Sequence, residues 1–433
     1  MRGFRKFIAL LAIGIAAGTV QAGASDLKIV LNQSPWFEGF RKTVEQYNAE
    51  TGNTVTLDPV PYPSLLEKVR SSLRAPQGEY DITLLDVNWL AEIYSGGFLE
   101  PIDAISPGYK LPENVLDFDE VLYWDAERSV FNRDSGKLTT FPVTGNPQLF
   151  YYREDIYEEK GLTPPKTWDD LKANIAALSE EQPPYAFLTE GGRGDIVFRI
   201  TPFLLQTGGG IFKNPREGDY AIILNSPETL RGLKFYIDIA RAGYPNPGSL
   251  GQGELIQLFS TGKAAQADIV SAARGPITDP DSSVVGELTG VALIPHPSDG
   301  KPRFAAGHWA GGIAKNIPDE QKNAAVAFFS WLLEKDHQSQ LFVNGGVPVR
   351  SDLSGSVEDP LDFLPVLAAA IKDAVLISPV KENAQINAIV GLYLNQALTG
   401  ELTPEAALNK AAAEVYDLIS KAGYKTAKLP DLG

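Results

Sequence analysis

From Asp26 onward the apolar positions of the chain switch between two periods. Short apolar runs, Leu27–Leu31, Val55–Val60 and Ile82–Leu85, read as buried strands, whereas Phe37, Phe40, Val44 and Tyr47 recur at helical spacing between the first two. Ser34 is placed to cap that helix with Pro35 at its first position, and Gly52 stops it. A second helix is predicted over Leu65–Leu73. Two βαβ units in the first hundred residues therefore predict α/β architecture with mostly parallel sheets.

The pattern then breaks and restarts. Phe141 and Pro142 end one segment, Thr144 to Pro147 carry turn residues, and a new strand begins at Leu149–Tyr152. Pro164 and Pro165 forbid helix, and Thr167 can cap a new one with Asp170 at its third position, so that Trp168, Leu171, Ile175 and Leu178 share a buried face. The stretch reads as a hinge leading into a second lobe. Further on, Thr201–Phe212 and Pro227–Ala242 read as helices, Ala265–Val270 and Val291–Pro295 as strands, and Glu320–Phe342 as one long helix. Thr403 caps a last helix whose buried stripe is Ala407, Leu408, Ala411, Val415, Leu418 and Ile419.

Composition narrows the function. A chain of 433 residues that is 44% apolar suits two lobes of ordinary size. Its net charge of −16 argues against a nucleic-acid partner, since phosphate binding needs Lys and Arg clusters. Arg2, Arg5 and Lys6, followed by an apolar run from Phe7 to Val20 and small residues to Ala24, read as a secretory signal peptide over 1–24. With no cysteine there is neither disulfide nor thiol catalysis nor a site for lipidation, so a free periplasmic protein is expected. Catalytic parts are scarce. There are three histidines (His296, His308 and His337), no Gly-X-Ser-X-Gly elbow and no His-Glu-X-X-His. Carboxylates abound, and a glycoside hydrolase would need only two, so their presence decides nothing. No metal and no cofactor is expected.

The order Pro147, Tyr151-Tyr152, a short helix, Gly161, then Pro164-Pro165-Lys166-Thr167-Trp168-Asp169-Asp170-Leu171 resembles the inter-lobe crossover of the family 1 extracellular solute-binding proteins, which deliver sugars to ABC importers. Tyr80 to Asp103, the Gly262-Lys263-Ala264-Ala265 signature, AAVAFFSWLL before Glu334 and the run from Gly400 to Leu408 resemble the same family in the same order. The resemblance implies a two-lobed periplasmic binding protein fold of type II, each lobe a mainly parallel sheet flanked by helices and joined by hinge crossings. It places 25–142 with 292–346 in one lobe, and 143–291 with 347–433 in the other. It also implies a monomer without enzymatic activity that captures a carbohydrate or polyol and docks on an inner-membrane permease.

A hydroxyl-rich ligand needs carboxylates and amides that accept and donate in pairs, plus an aromatic platform. Ligand crevices in parallel sheets lie beyond the carboxyl ends of strands, so Gln33, Trp36, Asp86, Asn88 and Trp89 are candidates, Trp36 serving equally as an anchor of the first helix. By resemblance Asn146, His308, Trp309 and Gly311 join them. Where many carbohydrate-binding members carry a Trp after the strand, this chain reads Ser271-Ala272-Ala273-Arg274. Arg274, Arg199 and Arg350 could instead grip an anionic sugar derivative or a glycerol phosphate, or serve as ordinary ion-pair partners.

Overall fold

The computed structural model describes residues 25–118, 121–179 and 183–433; the expected signal segment lies outside the described residues. Strand β1 (Asp26–Asn32), helix α1 (Phe37–Thr51), strand β2 (Thr54–Val60), helix α2 (Tyr62–Arg74) and strand β3 (Ile82–Asp86) form the two predicted βαβ units. Strand β4 (Thr140–Thr144) leads directly into β5 (Gln148–Arg153). Helices α3 (Trp168–Leu178), α4 (Ile196–Gln206), α5 (Pro227–Gly243) and α6 (Gln252–Ser260) follow, then β6 (Gln266–Val270), β7 (Thr289–Ala292) and β8 (Trp309–Ile313). The chain ends in α7 (Asp319–Leu332), α8 (Lys335–Val343), α9 (Phe363–Lys372), α10 (Asn383–Thr399) and α11 (Pro404–Lys421).

The first sheet has the order β2-β1-β3-β8-β4, with β1 parallel to both neighbours and β8 antiparallel to β3 and β4. Its central strands are buried on both faces, which is why they read as continuous apolar runs rather than alternating ones. The second sheet departs from the expected mainly parallel pairing. There β5 lies between β6 and β7 and runs against both, and Leu188 bridges Ala267 in parallel at the far edge. Strand β5 arrives straight from β4 of the first sheet, with no helix between them.

Thr167 and Asp170 make the predicted capping box on α3. The helix predicted over Glu320–Phe342 is instead broken between α7 and α8, and the carbonyls freed by the break are satisfied by side chains. His337 Nδ1 donates to Trp331 O at 2.6 Å, Gln338 Nε2 to Leu332 O at 2.9 Å and Arg350 Nη1 to Leu333 O at 3.0 Å. Leu116 N–H donates to Val349 O, and Val115 bridges Arg350, so the segment after α8 is paired with residues 115–116.

Candidate functional site

At one edge of the first sheet the carboxyl ends of β1 and β3 meet the first residue of the antiparallel β8 and the first residue of α2. They bring Asn32, Ser34, Tyr62, Asp86 and Trp309 to one wall of a chamber. Asn146, Glu190, Asp195, Phe198, Gln252 and Val270 of the second lobe form the facing wall. A cavity of about 120 Å³ lies between the two walls. Ile377, whose N–H donates to Asn88 Oδ1 at 3.1 Å, separates this chamber from a neighbouring groove of about 440 Å³. A hollow of about 510 Å³ around Trp168 and Arg231 involves the second lobe alone.

Helix α4 aims its N-terminus, with Gly194 and Asp195 before it, at this chamber. Pro202 inside the helix has no N–H to offer the carbonyl of Phe198. Gln148 Nε2 donates to that carbonyl at 2.6 Å instead, fixing the helix entrance to β5.

Asp86 is the acceptor around which the first wall is built. Its Oδ1 accepts from Asn88 N at 2.9 Å and Asn88 Nδ2 at 2.8 Å, and its Oδ2 accepts from the Tyr62 hydroxyl at 3.1 Å. Burial pushes its carboxyl up to about 6, against those three donors. Asn88 also donates to Ala306 O at 2.8 Å, so it ties the β3 turn to the crossing before β8. Trp309 is held by three aromatic neighbours, with ring centroids 5.7 Å from Trp36, 5.8 Å from Trp89 and 6.2 Å from Tyr62. Tyr62 keeps an exposed ring edge while burial and the Asp86 carboxylate raise the pKa of its hydroxyl.

In the second lobe Arg199 is fully buried and bonded to Glu190 and, at 3.1 Å, to Asp268 Oδ1. Burial raises the pKa of Glu190, and the Arg199 guanidinium opposes that rise. Asp195 is also raised by burial. Asn146 is committed to structure as much as to the chamber. Its N–H donates to His308 Nδ1 at 2.9 Å, and its Oδ1 accepts from Ala272 N and Ser271 Oγ.

Of the residues the sequence pointed to, Asp86, Asn88, Asn146 and Trp309 line the chamber. Gln33 does not. It is exposed, because successive residues at the end of an extended segment face opposite ways, and Asn32 and Ser34 take the inward places. Trp36 and Trp89 are buried supports of Trp309, one step behind the wall. Arg199 stands behind Glu190. Arg274 lays its guanidinium 3.7 Å from the Phe342 ring centroid and donates to Phe342 O, with burial lowering its pKa. His308 is stacked on Phe118 and buried, its pKa lowered to about 3 by that burial. Gly311 faces the core, where an added Cβ would sit 2.1 Å from the Phe329 ring. Arg350 grips Asp352 with two nitrogens at 2.8 Å, beside the break between α7 and α8.

Several lining residues escaped the sequence reading for identifiable reasons. Tyr62 was missed because α2 begins at Tyr62, three residues earlier than predicted. Asp195 and Phe198 were missed because α4 begins at Ile196 rather than at Thr201. Ser34 makes no side-chain cap on α1; its Oγ is buried without a partner against the chamber. Glu190 and Asn387 carried no signal beyond being polar.

Two lobes, each a sheet flanked by helices and meeting around an enclosed polar chamber, define the class of bilobal solute-binding proteins. The chain belongs to the bacterial extracellular solute-binding protein family, whose model matches residues 32–339. It is 25% identical over 403 residues to a protein of Sinorhizobium fredii described as a "Probable amino-acid ABC transporter periplasmic-binding protein", covering 90% of this chain and 88% of that one. It is 24% identical over 386 residues to a mannitol-binding protein of Pseudomonas aeruginosa, with 83% and 85% covered. The crystal structure of an ABC transporter solute-binding protein from Agrobacterium radiobacter in complex with ribitol superposes with a TM-score of 0.76. The two chains are 24% identical, and 92% of this chain and 99% of that one are covered. The protein is thus a solute-binding component of ABC transport and not an enzyme. Among the described residues no helix is long and apolar enough to cross a membrane, and no cluster of His, Cys, Asp and Glu could hold a metal ion.

Proposed function

We propose that the protein captures a polyhydroxylated molecule without negative charge, of monosaccharide or hexitol size, between its lobes and hands it to a membrane permease from the periplasm. One observation carries this reading: carboxylates and amides from both lobes line the chamber with Trp309, and among the described residues no Lys or Arg lines it. Hydroxyl groups donate to such acceptors while a sugar or polyol face rests on the indole. A solute touching both walls favours the closed arrangement by its differential affinity for it. The relatives named for mannitol and ribitol support the same ligand class. A glycerol phosphate or other anionic derivative suits this wall poorly, since its charge would meet Asp86, Glu190 and Asp195. An amino acid would bring a carboxylate into the same place, despite the name of the Sinorhizobium fredii relative. Cleavage of the basic and apolar segment before Ser25, a free unlipidated chain and a monomeric state complete the proposal.

The test is a thermal-shift and calorimetric screen of the mature protein against hexitols, pentitols, monosaccharides, glycerol 3-phosphate and amino acids. A polyol or monosaccharide is expected to raise the melting temperature and to be recovered unaltered. Stabilisation by the phosphate or the amino acids alone would overturn the reading.

A further inference from the structure

The chamber is richer in acceptors than a purely hydroxylated ligand requires. Asp86 is bonded only to the neutral donors of Asn88 and Tyr62, and Asp195 makes no ion pair with any cation among the described residues. Arg199 is already shared between Glu190 and Asp268, and among the described residues no Lys or Arg lines the chamber beside Asp86 and Asp195. Independently of the acids, Asn32 is 7% exposed and lines the chamber with its Oδ1 buried and unpartnered, and Asn387 Oδ1 is in the same condition. A buried acceptor without a donor is destabilising, so these atoms are poised for a donor that arrives with the solute. Tyr62 lines the chamber together with the two unpaired acids. It is bonded to Asp86 in its own lobe, and the charge of Asp195 from the facing lobe opposes its ionisation.

A hydroxyl group supplies one donor and brings two lone pairs that themselves need partners. A protonated amine supplies three donors, no acceptor and the missing positive charge. Resting on the polyol reading above, we propose that the preferred solute of this chamber is an amine-bearing polyhydroxylated molecule, an amino sugar or amino polyol, whose ammonium is received by Asp86 and Asp195 with Asn32 as a further acceptor.

The experiment uses the mature protein in calorimetric titrations at pH 7 with matched pairs that differ only in amine against hydroxyl: 1-amino-1-deoxysorbitol and sorbitol, glucosamine and glucose, galactosamine and galactose. At least one amine is expected to bind tenfold or more tightly than its hydroxyl partner, and Asp195→Asn is expected to shrink that ratio to threefold or less. Raising the salt concentration should weaken the amine more than its partner, a readout in the unaltered protein. If a hydroxylated member binds and its amine partner binds equally or less well, the inference fails while the polyol reading stands. If no amine binds, the inference is overturned. If the ratio survives in Asp195→Asn, the assigned acceptor is wrong and the proposal falls with it.

Discussion

His308 Nδ1 accepts the backbone N–H of Asn146 at 2.9 Å, so a single buried hydrogen bond joins the first crossing between the lobes to the segment that returns into β8. Only an imidazole with Nδ1 unprotonated can accept it. Burial against Phe118 keeps the ring neutral and lowers its pKa to about 3.

The sign of the resulting pH dependence follows from which state binds the proton. Between about 6.5 and 3 the unfolded chain protonates His308 and the folded one does not, so the contribution is complete above pH 6.5 and is lost as the pH falls. The limiting slope is about 1.4 kcal/mol per pH unit. Asp86, raised to about 6, acts in the opposite direction over the window from its ordinary value upward, favouring the fold as pH falls. Comparing His308→Gln with the parent in denaturant unfolding between pH 4 and 7 isolates the histidine. The variant should show a shallower loss toward acid, and parallel curves would refute the assignment.

Trp309 is both platform and keystone. Removing its indole leaves a cavity among Trp36, Trp89 and Tyr62, with an expected cost of roughly 3–5 kcal/mol. Trp309→Ala should therefore lower the melting temperature as well as weaken solute binding at least tenfold. Trp309→Phe should retain most of the stability and part of the affinity, as calorimetry and thermal unfolding can show together.

Asp86→Asn separates the two roles of that side chain. An amide oxygen can still accept from the Asn88 N–H, and it carries no charge to desolvate, so the melting temperature should hold or rise. Binding should weaken about 10- to 100-fold, or about 1.4–2.7 kcal/mol, because an acceptor aimed at the solute has become partly a donor. Unchanged affinity in titration calorimetry would remove Asp86 from the site.

Arg199→Met should be among the most damaging single changes. It leaves Glu190 and Asp268 buried with no cation, a loss of about 3–5 kcal/mol in urea unfolding. The triple variant Arg199→Met, Glu190→Gln, Asp268→Asn should recover much of that stability without recovering affinity. If the single variant is as stable as the parent, the buried triad is not what holds this wall.

The fold was largely legible because strands buried on both faces announce themselves as apolar runs and because caps such as Thr167 and Thr403 act locally. The first wall of the chamber was partly legible for the same reason, since Asp86 and Asn88 stand where a strand ends. The second wall was not. Glu190 lies on an irregular segment, and Asp195 precedes a helix whose start was obscured by Pro202, a residue that usually marks a helix beginning rather than its interior. The arginines misled for a physical reason. A guanidinium suited to grip a ligand is equally suited to satisfy buried carboxylates, free carbonyls or an aromatic face, and Arg199, Arg350 and Arg274 do these three things respectively.

The aromatic quartet of Trp36, Tyr62, Trp89 and Trp309 also makes the protein its own optical probe. An indole at the chamber wall, within 6 Å of two others in a chain with only six, shifts its emission when its surroundings change. Capture can then be watched by intrinsic fluorescence, in real time and without a label, for each solute and each variant named above.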